Sequence, residues 1–149
     1  MSPANAISVV VSDWPGQRHA AVPLRHAVFV VEQGVPLALE LDEWDLVAEH
    51  AVAWIGDLAV GTARLLPGGQ IGRMAVATGY RGQGIGAALL HALVERARER
   101  GDDEVRLHAQ LHASGFYRRF GFVEQGGVFD DAGIQHVAMR LPLRTGASV

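Results

Sequence analysis

The chain has 149 residues, 49% hydrophobic and 19% charged, which fits one globular domain and excludes global disorder. Its formal net charge of −3 leaves no electrostatic footprint for nucleic acid or an acidic membrane surface. It holds no cysteine, and all thirteen of its basic residues are arginine; disulfides, thiolate metal sites, cysteine nucleophiles, Walker-type phosphate loops and Schiff-base chemistry are therefore out.

The N-terminal MSPANAIS lacks a basic stretch leading into an apolar run, and no segment approaches a membrane span. A soluble cytoplasmic protein is expected. Ala6 to Val11 is a short β-branched run and predicts the first strand. Pro23 is read as lying in the first turn of a helix that starts near Ala20, with Leu24, Val28 and Val31 on one face. EQGVPLALELDEWDLVAEH follows as a long polar connection without a clean period, of the kind that forms functional loops or short helices.

HAVAWI and LAVGTARLL flank Gly56-Asp57, a two-residue hairpin signal. Pro67-Gly68-Gly69 then turns the chain into a strand at about Gln70 to Ala77. The clearest helix comes next, with Ile85, Leu89, Leu93 and Ala97 as its apolar stripe and Gly101 as its stop. Val105 to Ala109 predicts a strand, Ala113 to Phe120 a short helix and Gln135 to Leu141 a last strand, with residues from about 143 as a frayed tail. The fold class is mixed α/β in a single domain, centred on a parallel strand–helix–strand unit from Gln70 to Ala109.

The stretch GYRGQGIG, Gly79 to Gly86, places four glycines where that helix begins, although glycine costs roughly 1 kcal/mol relative to alanine inside a helix. A strand, a bare-backbone turn and a helix N-terminus together make an anion site, because converging N–H groups and the helix dipole favour phosphate. Gly82, Gly84 and Ala87 formally satisfy the dinucleotide pattern G-x-G-x-x-[GA]. The context fails: TGYR separates strand from loop, and Asp102 and Asp103 precede the next strand instead of ending it.

RMAVATGYRGQGIGAALL resembles the signature of the GNAT (Gcn5-related) N-acetyltransferases, with Arg81, Gly84 and Gly86 filling [QR]-x-x-G-x-[GA]. SGFYRRFGF, about thirty residues on, is similar to the family's second block, A-x-x-[FL]-Y-x-x-x-G-F, through Tyr117, Gly121 and Phe122. VFVVEQGVP, ELDEWDLVAEH and GIQHVAM look like the YjcF/ElaA-like branch. The resemblance covers the chain to Leu141. It implies a twisted mixed sheet, acetyl-CoA as donor substrate, and direct transfer of the acetyl group to an amine of a small molecule or peptide.

The same resemblance implies a site. The strand carrying Met74, Ala75 and Val76 splays from Val105 to Ala109 and its free backbone pairs with pantetheine, since unpaired buried peptide groups are costly. The N–H groups of Arg81, Gly82, Gln83, Gly84, Ile85 and Gly86 bind the pyrophosphate, with the Arg81 guanidinium as a charged helper. Gln110 stands where many members have a cofactor-contacting asparagine. Tyr117 is the family's candidate for stabilising the departing thiolate, by hydrogen bonding or by donating a proton. A backbone N–H from Met74 to Val76 is the expected oxyanion donor.

The base is open. Several members carry a glutamate five residues before the alanine of the central strand, and here that position is Gln70, which cannot act as one. Glu40, Asp42, Asp45, His50 and His108 remain, as does a water relay; Glu40 and Asp42 also fit a solvated acidic loop, and His50 a structural histidine. His108 and His112 are separated by a strand end and a turn with no obvious third ligand, so no metal is expected. A catalytically silent acetyl-CoA-binding sensor is the rival function. Tyr117 favours the enzyme, and monomer and homodimer both stay open.

Overall fold

The computed structural model describes residues 6–131 and 133–143. Strand β1 (Ile7–Ser12) leads to helix α1 (Trp14–Arg25), a π-helical turn (His26–Glu32), the four-residue α2 (Leu37–Glu40) and a 3₁₀ turn (Glu43–Leu46). Strands β2 (Glu49–Ile55), β3 (Leu58–Leu65) and β4 (Ile71–Val76) precede the long helix α3 (Ile85–Arg100). Strand β5 (Glu104–Gln110), helix α4 (Ser114–Phe120) and strands β6 (Val123–Asp131) and β7 (Ile134–Pro142) complete the order. Among the described residues no helix is long and apolar enough to cross a membrane.

Two antiparallel sheets result, ordered β1-β2-β3-β4 and β5-β7-β6. In the first, Ala51, Ala53, Ala63 and Leu65 join Leu89, Leu90, Leu93 and Val94 of α3 in one core cluster. The opposite face carries His50, Val52, Thr62 and Arg64, and α1 covers it. With both faces covered, β2 and β3 read as nearly unbroken apolar runs, and this is why they were legible as strands but not by alternation. Gln17 ties α1 to the sheet, its Nε2 donating to the carbonyls of Val10 (2.7 Å) and His50 (2.9 Å).

Three expectations need correction. Helix α1 begins at Trp14, not near Ala20: Asp13 caps it, accepting from Gly16 N–H at 2.9 Å, and Pro15 occupies the first turn. Pro23 sits inside the helix near its end and removes one N–H. The winding then widens, with Gln33 N–H reaching Val28 O at 3.0 Å, so Leu24 and Val28 stay buried while Val31 is 70% exposed. Strand β6 was not expected, since its residues are mostly exposed and its register breaks between Gln125 and Phe129 around Gly126 and Gly127. Leu143 belongs to the core and not to a tail, its N–H donating to Asp103 O at 2.8 Å; the remainder of the expected tail, 144–149, lies outside the described residues.

Candidate active site

Strands β4 and β5 run parallel and should share a ladder. They share one isolated bridge, Gln70 to Arg106, beside which Arg106 N–H donates to Gly69 O at 2.9 Å. Gly69 makes that crossing close: a Cβ on it would stand 2.5 Å from the carbonyl oxygen of Glu104. Beyond the bridge β4 pairs with β3 and β5 with β7, leaving their facing edges apart. This is the splay that the resemblance implies, and such edges call for a hydrogen-bonding occupant.

The open part of β4 is bulged. Thr62 pairs with Ala75 but Arg64 with Gly72, so Ala63 faces two residues, Arg73 and Met74. Arg73 has φ of 51°, the one positive value among described non-glycine residues, in a conformation that costs a side-chain-bearing residue about 1–2 kcal/mol. Tyr117 of α4 reaches this place, its hydroxyl 3.7 Å from Met74 Sδ. The ring lies edge-on to Phe116 and Phe122, and burial raises the phenol's pKa above its ordinary value, so it stays protonated at neutral pH.

At the far end of β4 lies the glycine loop. Gly82 and Gly84 have φ of 77° and 85°, and a Cβ on either would meet nothing within 4 Å. Gly84 is the N-cap of the sixteen-residue α3 and offers no side chain to its first N–H groups. A helix N-terminus left free in this way, opening toward a splayed strand, fits a phosphate-bearing chain lying along β4. Ile85 is 1% exposed, so its side chain serves the core; a Cβ on Gly86 would stand 3.8 Å from the Phe116 ring and 3.9 Å from Met74 Sδ. Gln83 bonds back to Gly79 O at 3.5 Å.

Two more expected cofactor residues have protein partners. Arg81 closes a fork on Glu32, both bonds at 2.7 Å, and its Nε donates to Val76 O at 3.0 Å. The hydrogen bond to Arg81 holds the Glu32 carboxyl below its usual range. Gln110, at the end of β5, donates to Gln33 Oε1 at 3.2 Å. The π-helical segment is thus laced to both sides of the splay.

Four of the five expected bases, Glu40, Asp42, Asp45 and His50, lie in or against a buried charge cluster. Arg25, 1% exposed, donates to both oxygens of Glu40 (2.8–3.1 Å) and to both of Asp45 (2.7 and 3.0 Å). Arg64 binds Asp42 at 2.6 and 3.0 Å and Asp45 at 2.9 Å. Arg73 donates to Leu39 O and Glu40 O, both at 3.1 Å, and to Asp42 Oδ2 at 3.2 Å. Burial pushes the Asp42 and Asp45 carboxyls up, yet the bonds and charges of these arginines outweigh it and hold both below their usual values. His50 packs on Trp14 with Nε2 2.9 Å from Asp45 O, and burial lowers its pKa. Glu40 and His50 are therefore built into the scaffold. His108 stands apart from them on β5, edge-on to Phe129.

Known proteins are similar to this chain in sequence and in fold. The model of the Acetyltransferase (GNAT) domain matches residues 27–143. Protein ElaA of Escherichia coli (strain K12) is 36% identical over 132 residues, covering 83% of this chain and 86% of that protein. The "Uncharacterized N-acetyltransferase YjcF" of Bacillus subtilis (strain 168) is 34% identical over 137 residues, 89% of this chain and 98% of YjcF. The chain belongs to the GNAT acetyltransferase family. Crystal structures of an acyl-CoA N-acyltransferase from Pseudomonas aeruginosa and of Escherichia coli ElaA superpose on the GNAT domain described here with TM-scores of 0.82 and 0.81. Each is 32% identical and covers 91% of this chain and 99% of its own. This GNAT chain is an acyl-CoA-dependent N-acyltransferase with acetyl-CoA as its donor.

Sequence reasoning missed Arg25, Arg64 and Arg73, the partners of its acidic candidates. A signal was present: AVPLRHAVF, GTARLL and IGRMAV each set one arginine inside an apolar run. A buried guanidinium requires carboxylates, and ELDEWD clusters four of them, of which Glu40, Asp42 and Asp45 are the partners.

Proposed function

We propose that the chain transfers the acetyl group directly to an amine of a small molecule or peptide, with the thioester held on the open edge of Met74, Ala75 and Val76. The observation that carries this reading is the β4–β5 splay, closed at Gln70–Arg106 and open where Tyr117 meets Met74. When bound, acetyl-CoA supplies an activated thioester carbonyl. The N–H groups from Arg81 to Gly86 hold its diphosphate, and Arg81 joins them by exchanging Glu32 for phosphate. That exchange is within reach because both side chains are 41% exposed, where an ion pair adds little. Gln110 and Gln33 border the slot at the end of β5.

The C–N bond forms as the C–S bond breaks, and the attacking nitrogen then gives its second proton to water, leaving a neutral amide. A main-chain N–H between Met74 and Val76 stabilises the charge that develops on the carbonyl oxygen. Tyr117, kept protonated by burial, donates a hydrogen bond to the departing sulfur, which takes its proton from water afterwards. An alkyl ammonium has a pKa near 10, so the amine must lose a proton before attack. Glu40 is committed to Arg25 and Arg73, and His50 to Asp45 O, so neither is assigned that proton; it leaves through water.

Thiol release from acetyl-CoA in the presence of a diverse amine panel tests the reading. Release with at least one amine, together with an acetyl-CoA-dependent rise in Tm, supports it. A Tm rise with thiol silence across the panel would point instead to a binding module that senses acetyl-CoA.

A further inference from the structure

Arg73 lies one residue before the main chain that the proposed reaction uses, and its backbone is in the conformation least natural to it. The bulge it forms has a consequence for the strand. On the N-terminal side, Ile71 pairs with Leu65 and packs in the core against α3. Beyond the bulge, Ala75 pairs with Thr62, on the face that α1 covers, while Val76 pairs with Gly61 and packs toward α3. An unbulged strand would put Ile71 and Ala75 on one face, because side chains alternate with a period of two. The extra residue thus turns over the part of β4 that borders the slot.

A left-handed residue in a strand needs something to hold it there. For Arg73 that is a set of bonds from one guanidinium to one segment: Leu39 O, Glu40 O, the Asp42 carboxylate and, at 3.3 Å, Glu40 Oε2. The segment is itself fixed by Arg25 and Arg64 through Glu40, Asp42 and Asp45. The chain of contacts runs from α1 through the acidic segment to the bulge, over sequence separations of 31 to 34 residues in its last step.

We infer that Arg73 is a positioning residue: its side chain holds the β4 bulge left-handed and so aims the main chain of Met74 into the slot between β4 and β5. This deepens the reading of β4 as the thioester cradle and rests on it. The buried charge cluster then acts on the reaction through geometry, with Arg73 as the link.

The test compares wild type with Arg73→Ala, Arg73→Gly and Arg73→Lys, using acetyl-CoA as probe and two readouts: the Met74 amide resonance in ¹⁵N NMR and kcat for thiol release with the best amine of the panel. Acetyl-CoA should shift the Met74 amide in wild type and in Arg73→Gly, because glycine keeps positive φ without a side chain to hold it. That shift should be lost or reduced by at least about half in Arg73→Ala, with kcat down about 30- to 100-fold and acetyl-CoA Kd within about threefold. Arg73→Gly should recover at least about fivefold in kcat over Arg73→Ala, and Arg73→Lys, charged but unable to span both carbonyls and Asp42, should stay below Arg73→Gly.

If Arg73→Ala does not fold, the Gly and Lys variants decide, and Lys at or above Gly overturns the inference. A wild-type Met74 shift that persists in Arg73→Ala with unchanged kcat also overturns it, as does Arg73→Gly performing no better than Arg73→Ala. A wild type that binds no acetyl-CoA would remove the underlying reading itself, whatever the variants do.

Discussion

The two ends of the β4–β5 seam differ more than their sequences suggest. At the closed end the strands touch because Gly69 has no side chain, and Arg106 N–H completes the contact. At the open end the strands carry ordinary side chains, and the gap is held by what surrounds it: the Arg73 bulge on one side, Tyr117 and Phe116 on the other. The slot therefore has a hinge point and a spreader, and the two are chemically unrelated. Closure is local and steric. Opening is long-range and depends on charge and packing.

The largest effect is expected at the hinge. Gly69→Ala places a Cβ against the Glu104 carbonyl oxygen at a φ of 101°, so it should destabilise the fold by about 3 kcal/mol, read as a drop in the urea midpoint. A stability within error of wild type would mean that the closed end is not a close approach. Next, Gly84→Asp puts a carboxylate and a strained backbone at the head of α3. Acetyl-CoA binding should weaken at least about 100-fold, about 2.7 kcal/mol, and the Tm shift should vanish. Unimpaired binding would remove the loop from the site.

Tyr117→Phe tests the open end more finely. Turnover should fall about tenfold, near 1.4 kcal/mol, while acetyl-CoA Kd stays within about twofold. Equal turnover would take Tyr117 out of the chemistry and leave it as packing against Phe116 and Phe122.

The smallest effect lies in the scaffold behind β4. Burial lowers the His50 pKa below that of the unfolded chain, so between about pH 6.5 and the folded value the unfolded chain holds more proton. Stability should therefore fall as pH drops through that window, with His50 contributing at most about 1.4 kcal/mol per pH unit. His50→Gln should flatten that part of the profile, measured as urea midpoints from pH 7.5 to 5. Asp42 and Asp45, held low by their arginines, contribute stability that is present above about pH 4 and lost on further acidification.

Most of the slot's components were legible in the residues, but their arrangement was not. The glycine loop, the α3 stripe and the Gly56-Asp57 hairpin are signals that neighbours in sequence carry by themselves, and the structure has each of them in place. Tyr117 came from a spaced motif, and its hydroxyl lies 3.7 Å from Met74 Sδ of β4. Arg81 illustrates the opposite case. Its position in the motif pointed to phosphate, yet its fork closes on Glu32, 49 residues away, a pairing with no local trace. Strand β6 escaped because an exposed, glycine-interrupted segment shows no period.

By itself, the sequence determined the local grammar: where bare backbone begins a helix, which runs are apolar enough to be buried, and which chemistry the absence of cysteine and lysine forbids. Tertiary structure alone decided that the acidic candidates are ion-paired, that Arg73 stands left-handed, and that β4 and β5 part after one bridge. The reason is physical. A turn or a cap is settled by residues within a few positions of one another, whereas the partner of a buried charge and the register of a strand are chosen among distant segments only as the core closes.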